Sequence, residues 1–357
     1  MHGNASLLKF VLKKMYKAAV LISPEEIRIE EREEPSLSDN EVLIRVKFAG
    51  VCGTDIALFS GLYKVPLPLV LGHEFSGEIE RVGRRVDKEL VGKRVVSEIN
   101  STCLAYRSEE VCEFCKIGLS NHCPGRTVLG IISSDGAFAE LVKVPVGSVH
   151  VLPPEISLEE AVLVEPLAAA IQTFELTPAS KGDTVAVLGV GRLGTLVCAV
   201  ANALGARVIA ISRSNWKLER AKNFGATEVI NSSLDDPIKK IKDYTDGLGA
   251  NIVVEATGTP DGLGLALELA CPRGTVALKT TCGVEQCHID STKTVVNEIR
   301  IQGSRCGPFE KAISRLKQRE IPFQQLISHF YPLDKTKEAI ATARTASKVL
   351  IDLTIPG

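Results

Sequence analysis

Three residues far apart in this sequence carry the donor types of a metal site. Cys52 stands in Cys-Gly-Thr-Asp, His73 in Gly-His-Glu and Glu165 in Val-Glu-Pro-Leu. Singly they mean little, because a lone Cys is most often core and a lone His is more often structural than a ligand. Together, thiolate, imidazole and carboxylate suit catalytic zinc, where three protein ligands leave one position open to water or substrate. A second group is denser. Four of the ten cysteines lie between Cys103 and Cys123, with Cys112, Cys115 and Cys123 spaced C-x2-C-x7-C. With no secretory signal evident, such spacing points to metal rather than disulfides.

A third feature serves a nucleotide. Gly189-Val190-Gly191-Arg192-Leu193-Gly194 follows the apolar run TVAVL and opens an Ala- and Leu-rich stretch reaching Leu204. Glycines at this spacing allow a tight turn, close backbone approach to pyrophosphate and close helix–strand packing, and the helix N-terminus favours the anion. In this strand–turn–helix setting the pattern predicts a dinucleotide site at Gly189, Gly191, Arg192, Leu193 and Gly194. The next strand, Arg207 to Ile211, leads into Ser212-Arg213-Ser214, with Lys217 close behind and no acid until Glu219. An NAD site usually has Asp or Glu there for the ribose hydroxyls. A small hydroxyl beside Arg213 and Lys217 suits a 2′-phosphate instead, so the reading is NADP, with NAD as the alternative.

The elements that must hold these residues change character midway. Up to about residue 150, short alternating runs such as EVLIRVKF (41–48) and EFSGEIERV (74–82) are separated by glycine turns, which predicts a barrel-like all-β unit. From about residue 156 the pattern is helical and then alternates. Leu158 to Phe174 reads as one helix; TVAVL, RVIAI, NIVVEA, TVAL and Ile299 to Gln302 read as strands between helices. That alternation predicts a doubly wound parallel sheet. The chain ends in another strand, Lys348 to Leu353.

In this order, the C-G-T-D, G-H-E, cysteine lobe, E-P-L and G-V-G-R-L-G motifs resemble those of the zinc-containing medium-chain dehydrogenases, from Lys17 to Leu353. The superfamily includes alcohol, sorbitol, threonine and glucose dehydrogenases. The resemblance implies an α/β and β fold: a GroES-like β-rich catalytic domain over residues 1–160, carrying a structural-zinc lobe at 103–123. It implies a Rossmann nucleotide-binding domain over 161–305 and a return segment, 306–357, completing the first domain. Cys52, His73 and Glu165 would hold a catalytic zinc, with Glu74 either a direct ligand or one step removed. Asp55 would orient the His73 ring, and Thr54 would take the hydroxyl proton during hydride transfer between nicotinamide and a small alcohol or carbonyl substrate. Glu165 replaces the usual alcohol dehydrogenase cysteine, which draws the reading toward the polyol, threonine and glucose branches. In the lobe, Cys112, Cys115 and Cys123 match the family spacing. The first structural-zinc ligand is either Glu109, by counting back, or Cys103, which would complete an all-thiolate set and is preferred. Thr257-Gly258 and Ser304-Arg305-Cys306 would approach the cofactor, and a homodimer or homotetramer is expected.

The bulk numbers narrow the alternatives. A formal net charge of −1 argues against a chain built mainly for nucleic acid or an anionic membrane surface. No run approaches the ~18 apolar residues of a membrane span. Residues 1–11 mix apolar and basic side chains in a block too short and broken for a secretory signal, so they read as an extension before a first strand, and the protein is expected in the cytoplasm. Cys198, Cys271, Cys282, Cys287, His122, His150, His288 and His329 lack informative spacing and read as incidental. A nucleotide-binding relative without dehydrogenase chemistry would have no need of Cys52, His73 and Glu165 together. A zinc-free quinone reductase of the same fold would lack both the cysteine lobe and the C-G-T-D and G-H-E pair.

Overall fold

The computed structural model describes residues 14–280 and 289–355. The N-terminal extension, Cys282, Cys287 and His288 lie outside the described residues.

The first half is built around the strand Glu41–Gly50, buried at every position except Arg45 and Lys47. Those two reach outward to Glu80 and Glu78, at 2.6 and 3.3 Å. Glu74–Val82 pairs antiparallel along its length. Its other edge is shared: residues 41–45 pair with Leu141–Pro145, and residues 48–50 pair with the C-terminal strand Lys348–Asp352. The chain's last strand therefore lies beside the elements that carry Cys52 and Glu74. A three-stranded sheet (Glu26–Glu33, Met15–Ser23, Leu69–Val70) joins this unit through one apolar core.

The second unit is a six-stranded parallel sheet. Its order is Glu228–Asn231, Arg207–Ser212, Thr184–Leu188, Ala250–Glu255, Ala270–Leu278, Arg300–Gly303. The order runs outward from the Gly-turn strand in both directions, the doubly wound topology whose ligand crevice lies at the carboxyl ends of the strands. Thr184–Leu188 is buried throughout because both faces are covered. Val185 and Val187 face one apolar core, and Ala186 and Leu188 the other.

The stretch expected to be one helix from Leu158 to Phe174 is two. Leu158–Ala161 starts on a Ser157–Glu160 capping box, and a new helix begins at Val164. Pro166 sits in the first turn of that helix, where its missing N–H leaves no hydrogen bond unmade. The break puts Glu165 at a helix start, facing the first unit.

Candidate active site

Cys52 caps the N-terminus of the helix Gly53–Phe59. Its N–H donates to Asp55 Oδ2 at 2.8 Å, and the other Asp55 oxygen accepts from the Gly72 N–H at 3.1 Å. Asp55 is completely buried, so one carboxylate ties the Cys52 turn to the Gly72-His73 turn. His73 Nδ1 lies 3.5 Å from Asp55 Oδ1 without forming a hydrogen bond. Thr54 Oγ1 is 4.0 Å from Cys52 Sγ.

The donor atoms of Cys52, His73 and Glu74 lie within 4.8 Å of one another. Glu165 stands outside that grouping but within its field. Burial and the neighbouring Glu74 push its carboxyl up to about 7, against the pull of His73, Lys348 and Lys279. His73 is displaced well upward: Asp55 and Cys52 outweigh the opposing effect of burial. Glu74 has a partner the sequence did not suggest. Lys348, 2% exposed on the C-terminal strand, donates to Glu74 Oε2 and, at 3.4 Å, to the Val51 carbonyl.

In the lobe, the thiols of Cys103, Cys112, Cys115 and Cys123 lie within 4.8 Å of one another, and Glu109 is not among them. The extra residues loop out. Tyr106 and Ser108 donate backward to the carbonyls of Thr102 and Cys103 at 2.9 Å. That turn returns Cys103 Sγ to the Cys112 N–H, at 3.3 Å. This hydrogen bond leads the effects that push the Cys103 thiol down to about 7, while burial pushes Cys115 up to about 12.

The three glycines of the turn expected to hold phosphate differ in their surroundings. A Cβ on Gly189 would meet the Ala256 backbone at 2.8 Å, and one on Gly194 would meet the Gly189 carbonyl at 2.0 Å. Gly191, at the helix N-cap, faces open space. Leu193 packs partly buried against the core below. Arg192, by contrast, turns its side chain away to the Ala343 and Ser347 carbonyls, at 2.5 and 3.5 Å. Ser212 Oγ accepts from the Ser214 N–H at 3.3 Å. Behind it stands a cation that sequence reasoning missed. Arg220 is buried, bonds Ser347 Oγ and the Val190 carbonyl, and leaves Nε without a partner. Burial and Arg192 push it down to about 10. Lys217 is lowered by burial and then by Arg220, Arg192 and Arg213. Trp216 lies against both Lys217 and Arg220, at 5.6 and 5.0 Å from its ring centre.

Comparison with known proteins gives the same picture from another direction. Residues 38–154 match the alcohol dehydrogenase GroES-like domain, and residues 193–318 match the zinc-binding dehydrogenase domain. Sorbitol dehydrogenase of Bacillus subtilis (strain 168) is 34% identical over 334 residues, 92% of this chain and 93% of its own. The chain belongs to the zinc-binding alcohol dehydrogenase family. D-arabitol-phosphate dehydrogenase of Enterococcus avium is 32% identical over 324 residues, 89% of this dehydrogenase and 90% of its own chain. A zinc-binding dehydrogenase from Sinorhizobium meliloti 1021, solved bound to NADP, superposes with a TM-score of 0.87 at 29% identity, covering 95% of this chain and 100% of that one.

Two further residues of the dehydrogenase escaped the sequence reading. Glu255, 2% exposed, accepts from the Thr257 N–H at 2.8 Å and the Thr280 hydroxyl at 2.9 Å. The Thr257 hydroxyl is thus bound up in the Glu255 network, as the holder of its own loop. Lys279 follows the strand Ala270–Leu278 and donates to Ser304 Oγ at 3.1 Å and the Arg305 carbonyl at 3.0 Å. Burial pushes it down to about 8, with Glu165 and Cys306 opposing. Their signal in the sequence was faint: a charged residue at the carboxyl end of an apolar strand in a doubly wound sheet. Among the described residues, no helix is long and apolar enough to cross a membrane.

Proposed function

We propose that this protein is a zinc-dependent oxidoreductase that moves a hydride between NADP and a small alcohol, polyol or sugar or its carbonyl form. One observation carries the reading: the half-buried Cys52 thiol and the buried His73 imidazole and Glu74 carboxylate converge in a chain that also holds a dinucleotide-type turn at the end of a parallel-sheet strand. The donor set fits zinc, being soft and nitrogen-containing with a carboxylate within reach. Cys52 and His73 would hold the ion with Glu165 as third ligand, while Glu74, engaged by Lys348, stands beside them. When bound, zinc would supply a Lewis acid that polarises the substrate oxygen. Asp55 keeps the Cys52 and His73 turns in register. The Thr54 hydroxyl, next to Cys52 Sγ, takes the proton that leaves the substrate hydroxyl in oxidation and returns it in reduction.

The helix N-terminus at Gly191 would receive the pyrophosphate. For the 2′-phosphate, the support is a cluster of Arg192, Arg213, Lys217 and Arg220 with no acid paired to any of them among the described residues. Charge-assisted hydrogen bonds of this type contribute about 1.5–3 kcal/mol each. Arg213→Ala combined with Lys217→Ala is therefore expected to weaken NADPH binding by about 100-fold or more and NADH binding little, read by titrating the fluorescence of the single Trp. Equal losses for both cofactors would refute the assignment. The polyol branch is favoured by the sorbitol and arabitol-phosphate relatives. A panel of alcohols, polyols, sugars and carbonyls assayed with both cofactors tests it, and activity with none of them would refute the proposed function.

The lobe cysteines would hold a structural zinc. Cys103→Ala is expected to remove one zinc per chain and to destabilise the fold by ~3 kcal/mol or more, as losses of metal sites do. Zinc analysis with guanidinium unfolding checks this, and unchanged zinc content would exclude Cys103 as a ligand. We read the protein as a cytoplasmic homodimer or homotetramer. The exposed edge strand Arg300–Gly303 and the neighbouring Val295 and Val296 offer a surface for that pairing.

A further inference from the structure

One buried amide links the cysteine lobe to the nucleotide unit. Asn100, 4% exposed, lies in the short strand Asn100–Ser101, which pairs antiparallel with Thr127–Val128 and closes the neck from which residues 102–126 project. Its Nδ2 donates to Asn121 Oδ1 at 3.0 Å and to the Cys306 sulfur at 3.2 Å, and its Oδ1 accepts from Arg305 Nη2 at 3.3 Å. The same Arg305 nitrogen donates to the Asn121 carbonyl at 2.9 Å. Both N–H donors of the amide and its oxygen are thus engaged. Turned over, the amide would set its N–H groups against the guanidinium, so the network holds it one way round.

Asn121 belongs to the metal-bearing part of the lobe. It sits in the tight turn that delivers Cys123, where the His122 and Cys123 N–H groups donate to the Leu119 and Ser120 carbonyls at 2.9 and 3.0 Å. A metal held by the four thiols would fix that turn, and with it the Asn121 groups that meet Asn100 and Arg305.

Arg305 and Cys306 belong to the loop at the carboxyl end of Arg300–Gly303, the side of the sheet on which the ligand crevice lies. The Ser304 N–H donates to the Leu278 carbonyl at 3.1 Å, and Lys279 reaches Ser304 and the Arg305 carbonyl. Gly307 seats on the helix Val164–Leu176, one turn beyond Glu165: a Cβ there would meet the Ala168 carbonyl at 1.8 Å. Cys306 lies close enough to Glu165 for that carboxylate to add to the upward push of burial on its thiol. The loop is therefore a wall beside Glu165, gripped from the lobe.

We propose that the cysteine lobe is a positioning device for the crevice: through Asn121, Asn100 and Arg305 it holds the 304–307 loop against the helix of Glu165, and loss of the lobe metal frees that loop. This rests on the structural-zinc reading above.

The test is alkylation of Cys306 by iodoacetamide in the zinc-loaded protein, followed by peptide mass spectrometry, since a half-buried, hydrogen-bonded thiol reacts faster as its loop opens. Arg305→Met is expected to speed this reaction about tenfold or more, the scale of one lost charge-assisted hydrogen bond. Loss of the positive charge alone would push the thiol further up and slow alkylation, so acceleration reports movement of the loop. Both Arg305 bonds come from one nitrogen, which a lysine ammonium can replace, and Arg305→Lys is expected to keep the wild-type rate. Cys103→Ala is expected to speed Cys306 by a similar factor, with little added by Arg305→Met in the double variant. Cys198, fully buried in the nucleotide unit, should stay unreactive throughout. A wild-type rate at Cys306 in Arg305→Met, or in folded Cys103→Ala protein that has lost a zinc, would overturn the inference. So would acceleration of Cys198 and Cys306 together, the mark of general destabilisation. The Arg305 variants leave the lobe thiols intact and decide the matter even where Cys103→Ala fails to fold. Wild-type protein holding a single zinc per chain would overturn the structural-zinc reading itself, and this inference with it.

Discussion

Cys52→Ser is expected to lower kcat/KM by about a thousandfold or more, with dinucleotide affinity nearly unchanged. A serine hydroxyl at neutral pH is protonated and hard, a poor replacement for a thiolate on zinc. Losing a Lewis acid removes several kcal/mol of transition-state stabilisation, and each 1.36 kcal/mol is tenfold in rate. The fold should survive, because the hydrogen bond that organises this turn runs from the residue-52 N–H to Asp55 and does not use the side chain. The phosphate turn is carried by a different domain and should be untouched. Zinc analysis, cofactor titration and steady-state kinetics on one preparation check all three points. A variant that kept both its activity and its zinc would show that Cys52 is not a ligand.

The second large effect is on stability. Lys348→Met is expected to destabilise the protein by about 3–5 kcal/mol, the cost of stranding a buried carboxylate after its partner is removed. Glu74 is 1% exposed and Lys348 2%, so water cannot compensate either one. The pair also fastens the C-terminal strand to the metal-bearing elements, since residues 350–352 pair with 48–50. Removing both charges together, as Glu74→Gln with Lys348→Met, should cost less than the sum of the single changes. The partner then no longer sits unpaired. Guanidinium unfolding of the three variants measures the coupling. Strictly additive losses would mean that the ion pair contributes nothing beyond its separate residues.

These two residues mark how far the sequence could be read. Cys52, His73, the cysteine lobe and the phosphate turn were legible because each sits in a short pattern that chemistry constrains: donors at ligand spacing, glycines where backbone must pass. Lys348 lies 274 residues from Glu74 and looks like a stray charge at the start of an apolar strand. Only the return of that strand to Phe48–Gly50 gives it a role. Arg220 and Lys279 are similar, since one lysine or arginine among many does not announce its burial. Local conformation also set limits. The Ala- and Leu-rich run after Leu158 has the composition of one helix, yet it breaks at Val162-Leu163 before the Glu165-Pro166 turn. The alternation between Cys103 and Glu109 could not be resolved by counting, because the count depends on how the intervening residues loop. The fold itself was easier. Strand–helix alternation dictates a parallel sheet, and the buried TVAVL run requires cover on both faces.

The most direct measurement of the central claim compares zinc-loaded, chelator-stripped and zinc-restored protein for carbonyl-dependent oxidation of NADPH, with NADH in parallel. Turnover is expected in the loaded protein, with loss on stripping, recovery when zinc returns, and faster use of NADPH than NADH wherever there is turnover. Undiminished turnover without zinc, or faster use of NADH, would contradict it.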